Sequence, residues 1–262
     1  MLHVLSISTG FIMDLFLGDP GGFTHPVVLI GKLISYLENL FMRIKNKKLA
    51  GILLLVFVVS ITYIIAYFVS KISIIIEILL IYMIFASKSL AIEANKIFMD
   101  LSKKNVPDAR KKLSFLVSRD VDNLDEEGIV RATVETVSEN LVDGIISPMF
   151  YLLLGGAPLA MAFKAVSTLD SMVGYKNKEY EDLGCASAKF DDLLNFLPAR
   201  ITGFIIVPIA SLISGMGFKK IFRIVYRDRL NHASPNSAHS EAAFAGAMGI
   251  QLGGPTEYFG KL

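Results

Sequence analysis

The chain has 262 residues, of which 53% are hydrophobic, a formal net charge of +2 and a single cysteine. Its mean hydropathy is positive, and its apolar share is above the roughly 45–50% of a soluble globule. The near-neutral charge gives no footing for nucleic acid, and the lone Cys185 forms no internal disulfide and reads as a small buried hydrophobe.

Leu2 to Leu17 is an apolar stretch that contains Asp14. No Lys or Arg precedes it, and Gly18-Asp19-Pro20 follows where a signal peptide would carry a small-residue cleavage site, so it does not read as one. It is either a span or a helix that enters the membrane carrying a functional acid. Pro26 to Ile44 reads as an amphipathic helix lying at the interface. Leu49 to Val69 is 21 residues without a charge, and at about 1.5 Å per residue it crosses a hydrocarbon core of about 30 Å. Lys71 breaks the run. Ile72 to Ser87, with Glu77 inside, is a second span lengthened by Lys88 snorkelling outward. The two make a helical hairpin. Arg43, Lys45, Lys47 and Lys48 precede it and Lys103, Lys104, Arg110, Lys111 and Lys112 follow it, whereas the turn offers only Lys71. The positive-inside rule puts the turn outside and both flanks in the cytoplasm.

Residues 93–144 read as a soluble cytoplasmic helical insert, with Asn123 and Glu126 as a helix start and Gly144 as a stop. Val130, Val134, Val137 and Leu141 fall on one face, and Glu135, Glu139 and Asp143, at i, i+4 and i+8, on the opposite one. Three stacked carboxylates repel unless a cation sits among them. Two readings stand: a solvated face with Arg131 pairing Glu135, or a magnesium site, since Mg²⁺ favours one or two carboxylates plus phosphate oxygens.

Ile145 to Val166 is interrupted by Pro148 and by Gly155-Gly156-Ala157-Pro158, and Ile201 to Phe218 carries Pro208 and glycines. The basic segment after Phe218 belongs in the cytoplasm, so either both segments cross or neither does. Broken apolar helices are tolerated in a membrane protein where they are buried or line a cavity. The expectation is paired half-helices that leave all polar loops on the cytoplasmic side.

Polar clusters border these apolar segments: Gly18-Asp19-Pro20 with His25-Pro26, Ser118-Arg119-Asp120, Thr168-Leu169-Asp170, Asp191-Asp192 with Asn195, and Ser234-Pro235-Asn236. Singly each suits a turn or a cap; together, ionisable groups beside broken membrane segments mark a functional site. The approach to a P-loop at Gly254 to Gly260-Lys261 has the wrong spacing and ends in Leu262. No metalloprotease motif, Cys cluster or Gly-x-Ser-x-Gly elbow occurs.

The clusters in this order resemble the CobD/CbiB family, the adenosylcobinamide-phosphate synthases of cobalamin biosynthesis. The matching stretches are MDLFLGDPGGFTHPVVLIGKLISYLE at 13–38, SRDVDNL at 118–124, VRATVETVSENLVDGIISPMF at 130–150, FKAVSTLDSMVGYKNKEYEDLGCASAKFDDLLNFLPARIT at 163–202 and SPNSAHSEAAFAGAMGIQLGG at 234–254. The resemblance implies an all-α, polytopic membrane protein forming a single domain. It implies ATP-driven amide formation between a propionate of adenosylcobyric acid and aminopropanol or its O-phosphate, through an acyl phosphate. On that reading Glu135, Glu139 and Asp143 hold Mg²⁺, helped by Asp170, and Lys164, Arg119 or Arg200 steadies phosphate. Asp191 or Asp192 accepts the amine proton, and Asp19, His25, Asp120, Asn140, Asn195 and Asn236 bind substrate or nucleotide. Val121 stands where the family usually has Thr, Leu141 where Thr often follows Glu-Asn, and Ala238 where Gly is common. Family members usually continue past a Gly-Gly…Tyr-x-Gly motif into another apolar helix, so a terminal span is expected to be missing.

Two other classes compete. A non-catalytic AmpE-like sensor or scaffold would lack the dense acidic motifs present here. A corrinoid or amine transporter would show corresponding halves, and none is evident in the sequence.

Overall fold

In the computed structural model the described residues are 2–19, 24–175, 180–212, 215 and 217–254. Pro20 of the Gly-Asp-Pro motif and the Gly260-Lys261 pair lie outside them. Among the described residues there are twelve α-helices and no strand. Four helical stretches are long and apolar enough to cross a membrane: Lys47–Ile72, Ile74–Ser102, Glu126–Val173 and Cys185–Ala210. The protein is an all-α polytopic membrane protein. Its chain divides into two compact units, Met1–Lys88 with Asp143–Asn195, and Ser89–Val142 with Phe196–Leu262.

The first unit is built on α3 (Lys47–Ile72), which packs along α8 (Ser147–Val173) and against α2 (Pro26–Phe41) and α4 (Ile74–Tyr82), while α1 (Leu2–Leu17) packs on α4. Ile34, Leu54, Val58, Ile81, Leu152 and Leu169 form its core. The other side of α3 exposes Ile52, Val56, Phe57, Ile64, Ile65 and Phe68, as a helix apolar all round must when lipid is its solvent. Ser73 makes the hairpin turn: its backbone is extended and its hydroxyl accepts the Ile76 N–H, starting α4.

The second apolar run was expected to continue to Ser87. It stops at Tyr82 instead, and α5 (Ser87–Ser102) begins after a break. The freed backbone groups find partners inside the unit: Ala86 N–H donates to the Gly144 carbonyl at 3.2 Å and Ser87 N–H to Asp14 Oδ2 at 2.9 Å. Such satisfaction is what permits irregular backbone at membrane depth. The acid in α1 is therefore buried and acts as a helix cap.

Gly144 does not end a helix as expected. A π-turn over Val142–Ile146 carries the chain from α7 (Glu126–Leu141) into α8, and π-turns free carbonyls of the kind that Ala86 uses. The expected interruption of α8 is present: Gly155 and Gly156 leave helical geometry, Gly156 at φ 70° and ψ −170°. Pro158 then begins a second helical stretch without needing a hydrogen-bond partner.

In the second unit α5, α6 (Val106–Leu113) and α7 enclose Ile97, Leu101, Ala109, Leu113 and Ile129. The helix α11 (Phe218–Asp228) and α12 (Ser237–Met248) pack together over Val207, Ile221, Val225 and Ala243, with α10 (Val207–Ala210) beside them. Asp125 caps α7 through the Gly128 N–H, two residues later than the expected start at Asn123. The face of α7 that is buried is Ile129, Ala132, Glu135, Thr136 and Ser138, while Val130 is exposed. Val130 of the valine stripe thus faces outward while Leu141 at its far end packs against the α11–α12 core, and Glu135 is no solvated side chain.

Candidate active site

Two polar clusters emerge, one in each unit. In the first unit the kinked α8 and the helix α9 (Cys185–Ile201) are pinned by a chain of hydrogen bonds: Ser147 Oγ donates to Asn195 Oδ1 at 2.5 Å, Asn195 Nδ2 donates to Asp191 Oδ2 at 2.9 Å, and Tyr151 Oη donates to the Leu194 carbonyl at 2.7 Å. Asn195 is buried, so its amide fixes the Asp191 rotamer. The second Asp191 oxygen is also buried and has no hydrogen-bond partner among the described residues. Asp143, Asp170 and Asp192 act on Asp191 electrostatically, and Lys164 feels Asp143, Asp19 and Asp191. His25 caps α2, its Nδ1 accepting the Val27 N–H at 3.3 Å, which leaves the proton on a buried Nε2 beside the Met83 backbone. Burial, against the pull of Asp19, holds this imidazole below its ordinary pKa. Carboxylates outnumber cations here, the usual signature of a site awaiting a positive ligand.

In the second unit Glu135 is the hub. Its Oε2 meets Arg119 at 2.7 Å, and its Oε1 accepts the Gly253 N–H at 2.7 Å. Arg131, the partner proposed for Glu135 in the solvated-face reading, instead meets Glu127 and the Gly253 carbonyl. Glu139 is half-buried and hydrogen-bonded to Glu241. Burial first, and then the charges of Glu139 and Glu135, push the Glu241 carboxyl up to about 8, with Arg119 opposing. Arg200 lies 3.4 Å above the Phe196 ring and donates to Asn236 Oδ1 at 3.2 Å. Asp120 and Asn140 are exposed, and Asn140 donates to the Thr136 carbonyl of its own helix.

The metal trio named from sequence is thus distributed: Glu135 and Glu139 belong to the second unit, Asp143 to the first. Sequence reasoning passed over Glu241, His239 and His232. The ligand atoms of Glu139, His232 and Glu241 lie within 4.8 Å of one another. However, His232 Nδ1 accepts the Ser234 N–H, so a neutral ring carries its proton on Nε2, the atom facing Glu241, and is no metal donor there. A signal for Glu241 existed. It is an acid in a run of small residues, Glu241-Ala242-Ala243-Phe244-Ala245-Gly246, that has no solvent face to offer it.

Residues 7–262 match the family described as CobD/Cbib protein. The cobalamin biosynthesis protein CobD of Clostridium perfringens is 49% identical over 99% of this chain and 85% of its own length. The protein of the same name from Pelobacter propionicus is 48% identical over 98% of this chain and 82% of its own. The cobalamin biosynthesis protein CbiB of Salmonella typhimurium is 44% identical over 99% and 85%. No solved structure matches the chain.

Proposed function

The chain belongs to the CobD/CbiB family, and on that premise we propose that it is a membrane ligase of cobalamin biosynthesis. It joins a propionate of adenosylcobyric acid to aminopropanol or its O-phosphate at the expense of ATP, with its polar loops on the cytoplasmic face of the cell membrane. The observation that carries this reading is the likeness to cobalamin biosynthesis proteins from one end of the chain to the other, 49% identity over 99% of it. The coarse role, a step in cobalamin biosynthesis, follows from family membership.

The first-unit cluster supports the chemistry. Amide formation from a carboxylate needs its oxygen turned into a leaving group, and ATP with Mg²⁺ supplies that when bound. A hard divalent cation takes oxygen donors, and the orphaned buried Asp191 oxygen, with Asp143 and Asp170 in electrostatic reach, fits that demand. Lys164 supplies the positive charge of the cluster and meets phosphate oxygens. Asn195 and Ser147 keep Asp191 in one rotamer, so that the donor set needs no rearrangement when the ligand arrives.

The test is release of ADP by the purified protein in detergent. It is expected only when both cobyric acid and aminopropanol, or its phosphate, are present. Release with either one alone, or with neither, would refute the ligase. Asp191→Asn should lower turnover by about a hundredfold and weaken Mn²⁺ binding measured by electron paramagnetic resonance.

A further inference from the structure

In the second unit α11 carries side-chain rows at helical spacing, and each row meets a different environment. Ile221 and Val225 are buried against α12. Gly246 brings the two helices close there, since a methyl in its place would sit 3.2 Å from the Ile221 Cα. This contact fixes the rotation of α11 and so the direction of its other rows. Phe218, Phe222 and Tyr226 form one of them and are exposed, Tyr226 by 62%. Lys219, Arg223 and Arg227 form the next, with Lys220 beside it, and all four are exposed. We propose that α11 is an anchor for anionic phospholipid: Phe218, Phe222 and Tyr226 enter the acyl boundary, and Lys219, Lys220 and Arg223 bind headgroup phosphates.

The aromatic row continues a lipid-facing one. The stretch Cys185–Ala210 is long and apolar enough to cross a membrane, and Ile205, Ile209 and Leu212 are exposed at its end. Phe204, beside Ile205, packs on Phe222 with ring centroids 5.4 Å apart, and Phe222 stacks on Phe218 at 6.1 Å. The helix α11 therefore lies against the end of that stretch, the depth at which aromatic rings concentrate in membrane proteins. Neighbouring rows of an α-helix are about 100° apart, so a helix lying in the interface buries its rings while its cations reach the headgroups. The charges point the same way. Arg227 forks onto Asp228 with two contacts of 2.7 Å, and Arg229 lies 4.1 Å from the centre of the Tyr226 ring. None of the ion pairs among the described residues involves Lys219, Lys220 or Arg223. A second copy docked on this face would set those cations against themselves across a two-fold axis. Anionic headgroups turn the same charges into attraction.

The test uses the full chain carrying Cys185→Ala and Tyr226→Cys, labelled with bimane at the new cysteine and reconstituted into phosphatidylcholine vesicles at low salt. Phosphatidylglycerol or phosphatidylcholine, brominated near the top of the acyl chain, is added as quencher at equal mole fraction. Both should quench, and phosphatidylglycerol should do so at a several-fold lower fraction, since each cation beside an anionic bilayer is worth roughly a fivefold preference. Raising the salt to about 0.5 M should shrink that preference. Lys219→Gln, Lys220→Gln and Arg223→Gln made together should abolish it and leave quenching by both lipids. Lys219→Arg, Lys220→Arg and Arg223→Lys made together should retain it. The three side chains are exposed, so neither set removes a core contact. Equal quenching by the two lipids with the cations intact would overturn the anchor, and so would a preference that survives the glutamine set. Protection of the label from both lipids would overturn it too, and would give the face to a second copy or to another protein.

Discussion

Asp14, on α1, accepts the backbone N–H of Ser87, 73 residues further on, at 2.9 Å. The acid is 1% exposed, so its carboxylate is a structural cap for α5 at the point where the second apolar run breaks. Asp14→Ala should cost about 1–2 kcal/mol, as loss of a helix cap does. Asp14→Asn, which keeps an acceptor oxygen, should melt above it. Equal melting temperatures for the two variants in detergent would show that the cap is not what Asp14 supplies.

Gly156 takes a backbone conformation, φ 70° and ψ −170°, that side chains rarely tolerate. Gly156→Ala should therefore lose about 1–3 kcal/mol. Gly144 is the contrast: a methyl there would sit 3.5 Å from the Ala86 Cβ, an ordinary contact, and Gly144→Ala should be close to neutral. Thermal melting of the pair decides. A neutral Gly156→Ala would mean that α8 can straighten through 155–158.

Arg119 and Glu135 form a partly buried ion pair, with side chains 18% and 5% exposed. Removing either partner strands the other, so Arg119→Met and Glu135→Met should each destabilise by about 3–5 kcal/mol. The double variant should lose much less than the sum of the two. Strict additivity in the melting temperatures would exclude the pairing.

The α3–α4 pair, the break in α8 and the acid in α1 were legible in the sequence because length, charge gaps and Gly-Pro interruptions state them directly; the two later apolar segments were expected as half-helices, whereas they belong to helical stretches, Glu126–Val173 and Cys185–Ala210, each long enough to cross. The orientation of α7 was not. Val130, Val134 and Val137 look like a core stripe, but Val130 is exposed, and Glu135 from the opposite face is buried. The break at Met83–Ala86 was invisible for another reason: nothing local stops the helix, and its partners Asp14 and Gly144 come from distant segments. Glu241 escaped because one acid carries no periodicity, and its neighbours Glu135 and Glu139 lie more than a hundred positions away.

Charge bias around α3 and α4 sets their expected orientation, with Lys71 at the turn between them. In a chain whose Cys185 is replaced by Ala, Lys71→Cys should react with a membrane-impermeant maleimide in intact cells, while Lys104→Cys should react only after lysis. The opposite pattern would invert the topology and place the polar loops outside.

Two shifted groups in the second unit give stability a pH dependence whose sign differs on either side of about 6.5. Burial, with Arg200 and Arg229 adding to it, holds His239 at about 4 instead of its ordinary 6.5. Between those values the unfolded chain takes up a proton that the folded chain refuses, so His239 removes stability as the pH is lowered from 6.5 to 4. Glu241 is raised from 4.5 to about 8. Its contribution is complete below 4.5 and is lost as the pH rises through 8, because the unfolded chain has already released the proton that the folded chain keeps. His25, lowered by burial, also acts only below 6.5. From pH 6.5 to 8 Glu241 therefore acts without the histidines, and the melting temperature should fall across that window in wild type. Glu241→Gln should make the fall shallower, since the amide does not titrate. His239→Gln should leave that window unchanged and weaken the loss below 6.5. A slope between 6.5 and 8 that is unchanged in Glu241→Gln would mean that the Glu241 carboxyl is solvated and titrates as it does in the unfolded chain.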